Sequence, residues 1–345
     1  MRGPTVVRIR RDATAWKGVR DVSGGCPASP APSLAAGGML WAITSYFNPI
    51  GYRRRLQNFH EFRRRLGVPL LAVELAYGER FELADDAADR VVRLRGRDVL
   101  WQKERLLNIG LERLPEDCTL VASLDCDLII EREDWGKAAC ALLDRFPAIQ
   151  LFTRLHHLTP EWSPERPPRE AVLFAQESSA SAIARGADPE PILSRPSSRR
   201  PGVTVNGFGW AYRRDVLEPH GLYDACIVGG GDTATVCAAF GTPDTVVRSH
   251  AMNPAQEARY RQWADRFHRA VDGQVGCLEG DVFHLWHGRL EDRRIRHRHL
   301  GLAPFRFDPA HDIAHDDAGC WRWSSDKPDL HAYVRDYFAA RREDG

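Results

Sequence analysis

Strand-like apolar runs alternate with helical segments from residue 39 onward, and this alternation is the strongest constraint on the fold of the 345-residue chain. Strands are predicted at 40–47, 70–77, 90–96, 120–130 and 149–155, and helices at 52–67, 100–114 and 135–146. Such alternation is typical of right-handed βαβ units that build a mainly parallel sheet flanked by helices. We therefore predict an α/β fold in which ligands bind beyond the carboxyl ends of the strands.

Changes in composition divide the chain further. Residues 1–38 are basic and then rich in Pro, Ala, Ser and Gly, which predicts a disordered tail. Residues 159–202 are rich in Pro, Ser and Arg, which predicts an insert that is either a lid or a flexible loop. The parts on either side, 39–158 and 203–300, are predicted to form the two halves of the domain, and 301–345 is predicted to pack on it.

Charge and cysteine content exclude several classes of protein. The 48 Lys and Arg residues balance 47 Asp and Glu residues, so a broad electrostatic surface for nucleic acid or membranes is not indicated. No apolar stretch approaches the ~20 residues of a membrane-spanning helix, and no membrane partner is expected. The eight cysteines are scattered without a Cys-x-x-Cys pair, which favours a reducing, cytoplasmic location over a disulfide framework.

Two aspartates, Asp125 and Asp127, interrupt the apolar run LVASLDCDLII at 120–130. On one strand they would point to the same face, where two carboxylates repel each other unless a cation lies between them or one is protonated. Mg²⁺ or Mn²⁺ supplies such a cation and also binds the oxygens of a diphosphate. The pair is therefore a candidate metal site, although a turn cap and a surface ion pair would also explain it.

Two histidines in the sequence HLWHG, His284 and His287, are candidate ligands from a distant part of the chain. Imidazole suits transition metals better than Mg²⁺, and a spacing of three allows two rings to converge on one ion. Surface histidines are the alternative, and we assign His297 and His299 in RIRHRHL to that class.

The sequence IVGGGDTATVCAAF at 227–240 places three glycines before Asp232. Glycines allow a ligand to approach the backbone closely. Asp232 is predicted to cap the following helix, a role in which Asp contributes ~1 kcal/mol, and it is also a candidate general base.

The predicted helix before the acid pair, in the sequence WQKERLLN, contains Lys103 and Asn108. Lys103 is a candidate phosphate ligand, and an exposed helix charge is the alternative. Asn108 shares a helix face with Glu104 and Arg105 because these residues lie four and three positions before it.

The order of these motifs resembles the GT-A class of nucleotide-sugar-dependent glycosyltransferases, most closely the β-1,4-galactosyltransferase-like branch. Residues 101–130 are similar to that family's basic helix with Leu-Leu-Asn and its Asp-x-Asp strand. Residues 208–232 resemble the segment that leads into its Gly-Gly-Glu-Asp turn, and 284–287 fall where it has Met-x-x-His. The resemblance implies a GT-A-like, Rossmann-like α/β fold with a smaller acceptor-side subregion. It also implies a nucleotide-sugar donor, with a UDP-sugar as the expected kind, and Mn²⁺ or Mg²⁺ as the cofactor.

Site roles follow from the positions that match this family. The resemblance implies that Asp127 and His287 bind the metal, with help from Asp125 or His284. It implies that Lys103 contacts a phosphate and that Asp232 is the general base. It also implies that the nucleoside is bound by Tyr46, Asn48 and Glu74. Asn108 belongs to the Leu-Leu-Asn motif and is assigned to the donor site with them. One departure is Gly231, which stands where the family has Glu, so one contact with the acceptor substrate is missing.

These assignments predict a metal-dependent, inverting glycosyltransferase of the hexosyltransferase type. A metal-dependent phosphohydrolase or nucleotidyltransferase would use the same acids and histidines, and a non-catalytic sugar-nucleotide-binding module would explain the missing Glu. The acceptor substrate stays open between a glycan, a protein, a small molecule and a modified nucleic-acid base. Arginine clusters at 53–55, 63–65 and 198–200 allow contact with a polyanion, with solvated surface charge as the alternative.

Overall fold

The computed structural model describes residues 39–194, 202–295 and 297–345. The strands are β1 (Met39–Phe47), β2 (Leu70–Ala76), β3 (Arg90–Arg95), β4 (Cys118–Leu124), β5 (Leu128–Ile130), β6 (Ala148–Gln150), β7 (Arg154–Leu158), β8 (Val172–Glu177), β9 (Gly209–Arg213), β10 (Val275–Cys277), β11 (Asp281–His284), β12 (Ile313–His315) and β13 (Trp321–Trp323). The predicted tail 1–38 and the arginines at 198–200 lie outside the described residues.

Helices connect and cover these strands. They are α1 (Arg53–Arg65), α2 (Lys103–Leu111), α3 (Trp135–Leu143), α4 (Ser179–Ala184), α5 (Pro189–Ser194), α6 (Arg214–Leu217), α7 (Gly231–Ala239), α8 (Pro243–Ser249), α9 (Pro254–Val271), α10 (Arg298–Leu302) and α11 (Pro328–Ala339). Short 3-10 helices lie at Pro168–Ala171, Glu291–Arg293 and Ala303–Phe305. None of the helices in the described part of the chain is long and apolar enough to cross a bilayer.

The main sheet has seven strands in the order β10-β6-β9-β4-β1-β2-β3. Strands β4, β1, β2 and β3 are parallel to one another, whereas β9 is antiparallel to both β4 and β6. Every residue of β2 is buried, as expected for a strand covered on both faces. On one face α2 packs closely, since a Cβ on its Gly110 would lie 3.1 Å from Val73. The predicted α/β fold with a mainly parallel sheet flanked by helices is confirmed.

A second sheet has four strands in the order β5-β11-β7-β8. The sequence analysis does not predict this sheet. The run 149–155 is predicted as one strand, but it divides into the end of β6 and the start of β7, which belong to different sheets. In this second sheet His284 lies opposite Leu128 on β5 and His157 on β7. The register therefore brings the residue before β5, Asp127, close to His284.

The described part of segment 159–202, predicted as an insert or lid, contains β8, α4 and α5. Strand β8 pairs antiparallel with β7, and the Ser178 side chain caps α4 by accepting the Ser181 N–H. Gln176 and Ser178 are buried. Residues 172–184 are therefore part of the second sheet and its helix.

The C-terminal segment packs on the domain through α11, in which Leu330, Val334, Tyr337 and Phe338 are buried. The Phe338 ring lies edge-on to Phe47 at the end of β1. Beyond the helix, Arg341 and Glu343 are also buried, at 4% and 0% exposure. This C-terminal stretch thus reaches the carboxyl end of the parallel strands.

Candidate active site

The two aspartates of the DxD sequence lie in a turn and not on a strand. Strand β4 ends at Leu124 and β5 begins at Leu128, so Asp125 and Asp127 occupy the connection between them. The prediction that both carboxylates share one strand face is therefore wrong. Asp125 faces Lys103, and Asp127 faces His284 at the end of β11 and His287 just after it. The Leu285 N–H donates to the Asp127 carbonyl oxygen at 2.8 Å, which fixes this turn against the end of β11.

Asp127, His284 and His287 form a group with the geometry of a metal site. Oδ2 of Asp127 lies 2.9 Å from Nε2 of His287 and 3.7 Å from Nε2 of His284, and the two nitrogens are 3.1 Å apart. Ligands about 2.1 Å from one ion at angles between 90° and 110° lie about 3.0–3.4 Å apart. The three atoms therefore fit a single divalent ion after shifts of a few tenths of an ångström. Asp125 is not a member of this group.

The hydrogen bonds around His284 determine its tautomer. Nε2 of His157 lies 3.0 Å from Oε1 of Gln176, and the Gln176 amide nitrogen donates to the Val203 carbonyl oxygen. Because Oε1 only accepts, His157 donates from Nε2 and accepts at Nδ1. When both rings are neutral, Nδ1 of His284, 3.2 Å away, is the donor, and Nε2 of His284 has the lone pair. That lone pair faces Asp127 and His287, which is the orientation of a metal ligand.

His287 is supported by a buried carboxylate from the C-terminal stretch. Nδ1 of His287 lies 3.5 Å from Oε1 of Glu343. The same Oε1 accepts a hydrogen bond from Nε of Arg341 at 2.5 Å. Oε2 of Glu343 accepts a hydrogen bond from Nε of Arg55 at 2.5 Å. Burial would lower the pKa of His287, but Glu343 and Asp127 raise it above its usual value. Burial would raise the pKa of Asp127, but the two histidines hold it well below the usual range. Asp127 is therefore ionised at neutral pH, the form that binds metals.

Lys103 joins the other two acids of the site. Its ammonium group lies 2.5 Å from Oδ1 of Asp125 and 2.9 Å from both oxygens of Asp232. Burial raises the pKa of Asp125 to about 6, although Lys103 acts in the opposite direction. The alternative explanation of Lys103 as an exposed helix charge is excluded, because the residue is buried at the start of α2. A phosphate contact by Lys103 stays a prediction, since both of its neighbours here are carboxylates.

One cavity, open to solvent, contains most of these groups. Its lining includes Lys103, Asp125, Asp127, Asp232 and His287, with Ser45 and Phe47 from β1. The sequence therefore predicted five residues that the fold brings into one cavity. His284 lies behind this wall and is 3% exposed.

Tyr46, Asn48 and Glu74, predicted to hold the nucleoside, line a different, open cleft. Side chains on β1 alternate, so Tyr46 points away from the cavity that Ser45 and Phe47 line. The Tyr46 hydroxyl and the Asn48 amide both donate to the Glu82 carboxylate, and Oε1 of Glu74 accepts the N–H groups of Glu82 and Leu83. These contacts fix the loop after β2. A nucleoside role for the three residues stays a prediction, and it requires a ligand that reaches beyond the main cavity.

Asn108 has a structural role. Its amide nitrogen donates to the Leu222 carbonyl oxygen at 3.0 Å, and its Oδ1 accepts the Leu222 N–H at 2.7 Å. The side chain is buried and does not line the cavity. The assignment of Asn108 to the donor site is therefore wrong, because both ends of its amide hold a backbone segment.

The three glycines before Asp232 make room for side chains of the protein itself. A Cβ on Gly230 would lie 2.6 Å from Cε1 of His250, and one on Gly231 would lie 2.4 Å from the Glu104 carboxyl carbon. Gly230 also has a φ of 107°, which favours glycine. Gly230 is the N-cap of α7, so the prediction of Asp232 as the cap is wrong. The carboxyl group of Glu104 occupies the space of a side chain at 231, and burial raises its pKa to about 8.

His299 differs from its assignment to the surface class. It is 6% exposed and stacks on His250, with ring centroids 3.8 Å apart and planes at 7°. Burial lowers the pKa of His250 to about 3 and that of His299 well below its usual value. Both rings are therefore neutral, and they support the turn at Gly230. His297 is exposed, as predicted.

Four arginines of the cavity have no counterpart in the sequence predictions of the site: Arg55, Arg293, Arg298 and Arg341. Arg55 belongs to the predicted arginine cluster at 53–55, but the sequence gives no reason to separate it from its exposed neighbours. Arg298 lies within RIRHRHL, between the two histidines that the sequence analysis assigns to the surface. Each of these residues reaches the cavity through tertiary contacts that no local pattern indicates.

Comparisons with known proteins give no family model and no curated protein that matches the chain. Among solved structures, glucosyl-3-phosphoglycerate synthase from Mycobacterium tuberculosis with Mn²⁺, UDP-glucose and phosphoglyceric acid aligns with a TM-score of 0.41 at 14% identity, over 77% of this chain and 78% of that one. S. aureus TarS 1–349 with UDP-GlcNAc aligns with a TM-score of 0.40 at 8% identity, over 88% and 72%. The 4-diphosphocytidyl-2C-methyl-D-erythritol synthase of Anaerococcus prevotii has a TM-score of 0.33 at 11% identity, over 70% and 89%. With TM-scores this low, the activity of the chain has to be inferred from the site itself.

Proposed function

We propose that this chain is a metal-dependent, inverting glycosyltransferase that transfers a sugar from a UDP-sugar to a hydroxyl group of an acceptor substrate. The observation that carries the proposal is the group of Asp127, His284 and His287 at the wall of a cavity that also contains Asp232. The resemblance of the motifs to GT-A enzymes supports the same conclusion, and the galactosyltransferase-like branch is the expected subfamily.

The ligand group favours a transition metal. Two imidazoles and one carboxylate suit Mn²⁺ better than Mg²⁺, which prefers oxygen ligands alone. Such an ion, when bound, supplies Lewis-acid stabilisation of the leaving diphosphate. Asp127 and His287 would hold it from the cavity side and His284 from behind, with His157 and Glu343 orienting the two rings.

Asp232 is the group that we propose as the base for the acceptor hydroxyl, and its exposure to the cavity supports this. Its side chain is 37% exposed, more than that of Asp125 at 22% or Lys103 at 10%. Lys103 holds both carboxylate oxygens of Asp232, so the carboxylate keeps one orientation toward the cavity. Attack by a hydroxyl that Asp232 deprotonates, on the face of the sugar away from the diphosphate, would give inversion.

Donor class and metal dependence are tested together by thermal denaturation with UDP, GDP and CDP, each with and without Mn²⁺. A ligand that binds only the folded chain raises the melting temperature, and we expect the largest rise with UDP and Mn²⁺ combined. A rise with Mn²⁺ alone and none with any nucleotide would contradict a nucleotide-sugar enzyme.

Turnover is tested by UDP release from UDP-glucose, UDP-galactose and UDP-GlcNAc with a panel of hydroxyl acceptors. We expect release that depends on an acceptor and on Mn²⁺. Fast release without any acceptor would identify a phosphohydrolase, and tight UDP binding without release across the panel would identify a binding module.

A further inference from the structure

Arg293 is a buried guanidinium that no carboxylate of the described residues neutralises. It is 2% exposed, and its Nη2 donates to the His287 carbonyl oxygen at 2.9 Å. Its Nε and Nη1 have no hydrogen-bond partner within the described ranges, and no described carboxylate forms an ion pair with it. The side chain lines the cavity. An unpaired charge at this depth costs several kcal/mol, which indicates that an anion completes the site.

Arg298 is a second cavity arginine without a carboxylate partner among the residues that the structure describes. Its Nη1 donates to the Tyr337 hydroxyl at 3.0 Å, and its Nε faces His299 at 3.3 Å. Nη1 also lies 3.0 Å from the position of a Cβ on Gly229, three residues before Asp232. Arg298 is therefore close to the turn that presents Asp232, whereas Arg293 is bonded to the backbone of a metal-site histidine.

With a divalent ion bound, the described residues of the cavity would carry more positive charge than the diphosphate of a sugar nucleotide neutralises. Its lining contains the cations Arg55, Lys103, Arg293, Arg298 and Arg341 and the anions Asp125, Asp127 and Asp232. Glu343 does not line the cavity, but it forms ion pairs with Arg55 and Arg341 and so contributes a fourth negative charge. Five positive and four negative charges leave one positive charge in excess. A divalent ion would add two charges and the two phosphates of a sugar-linked diphosphate would remove two, each carrying one negative charge. One uncompensated positive charge remains.

We propose that Arg293 and Arg298 form a subsite for a phosphate group of the acceptor substrate, so that this substrate is a phosphate ester. The inference rests on the proposed function, because it assigns the second substrate of the same cavity. The acceptor hydroxyl has to lie at Asp232, and a phosphate on the same molecule then lies within reach of Arg298. Arg293 donates to the same phosphate from the side of the metal site.

The subsite is tested by isothermal titration of inorganic phosphate into the full chain, first alone and then with saturating Mn²⁺ and UDP. We expect binding in both cases, and at least a tenfold loss of affinity in Arg298→Gln and in Arg293→Gln. Arg289→Gln is the matched control, because it removes an exposed arginine from the same region and should leave phosphate binding unchanged. Arg298 is only partly buried, so Arg298→Gln remains informative if Arg293→Gln does not fold.

Loss of phosphate binding once UDP and Mn²⁺ are present would overturn the proposal, because the two arginines would then bind the donor diphosphate. Equal phosphate binding by wild type and both variants would also overturn it. Failure of UDP to bind in the presence of Mn²⁺ would instead contradict the proposed function, and the titration with phosphate alone still tests the subsite. The titration is then repeated with glycerol 3-phosphate, a phosphomonoester, and with a short oligothymidylate, a phosphodiester. The ester that binds more tightly identifies the class of acceptor substrate.

Discussion

Replacing Asp127 with Asn should remove metal binding while Asp125→Asn retains it. The two aspartates are two residues apart in one turn, yet only Asp127 lies within 3.7 Å of the Nε2 atoms of both His284 and His287. Asp125 is bonded to Lys103 instead. The pair of variants therefore separates a metal ligand from its neighbour with the same chemical change.

The size of the effect follows from the geometry. Mutation of a residue that only orients a metal ligand costs about 10–100-fold in affinity, so loss of one of three ligands should cost about 100-fold or more. At a Mn²⁺ concentration 100 times the wild-type dissociation constant, the wild-type chain gains about 2.7 kcal/mol of stability, and the variant gains about 0.4 kcal/mol. At about 2 °C per kcal/mol for a large domain, Mn²⁺ should raise the melting temperature by about 5 °C in wild type and by about 1 °C in Asp127→Asn.

The assay is thermal denaturation of the three proteins across a Mn²⁺ titration, after treatment with a chelator and dialysis. Asp125→Asn should show the wild-type rise in melting temperature. The metal-site assignment would be refuted if Asp127→Asn kept the full rise, or if both variants lost it equally, because the Asp127–His284–His287 group would then not be the binding site.

Three further changes test the base, the buried acid and the glycine turn. Asp232→Asn should retain binding of UDP with Mn²⁺ but lower kcat by about 10²–10⁴-fold. The control is Asp265→Asn, which changes an exposed aspartate. A near-normal kcat in Asp232→Asn would exclude Asp232 as the base. The pKa of Glu104 is about 8 in the folded chain and near 4.5 in the unfolded chain, so the folded state binds more protons between these pH values. The stability of wild type relative to Glu104→Gln should therefore fall as the pH rises from 4.5 to 8. Urea unfolding at pH 5 and pH 9 measures this, and a stability difference that does not change with pH would contradict it. Gly231→Ala should destabilise the wild-type chain by about 1–3 kcal/mol, because the new Cβ would clash with the Glu104 carboxyl group. In a Glu104→Ala background the same substitution should destabilise the chain much less. An equal loss of stability in the two backgrounds would show that the two residues do not compete for space.

Much of the fold was predictable because its signals are local. The strands β1, β2 and β3 and the helix α1 begin and end within about two residues of their predicted bounds, since apolar runs and helical periodicity are written in consecutive residues. The proximity of Asp127 to His284 and His287 was also predictable, because Asp-x-Asp and His-x-x-His are recognisable candidate ligand patterns. The second sheet was not, since β6 and β7 are contiguous in sequence and only their pairing partners distinguish them.

The other parts of the site depend on contacts between residues far apart in sequence. Arg55 and Glu343 look like ordinary surface charges in YRRRLQNF and AARREDG, and only the fold buries them together. Asn108 shows the reverse case, in which a motif position serves the backbone of Leu222. His157 orients His284 only because β7 and β11 are neighbours.

The buried ion pairs of Glu343 have a consequence for how the site forms during synthesis. During synthesis His284 and His287 leave the ribosome well before residue 343, so the nascent chain carries both rings without the carboxylate that orients one of them. Shortened translation products that stop before this position would have a complete parallel sheet and a poorly ordered ligand. The His287 ring is therefore expected to become ordered only after residue 343 has been synthesised and has folded against it.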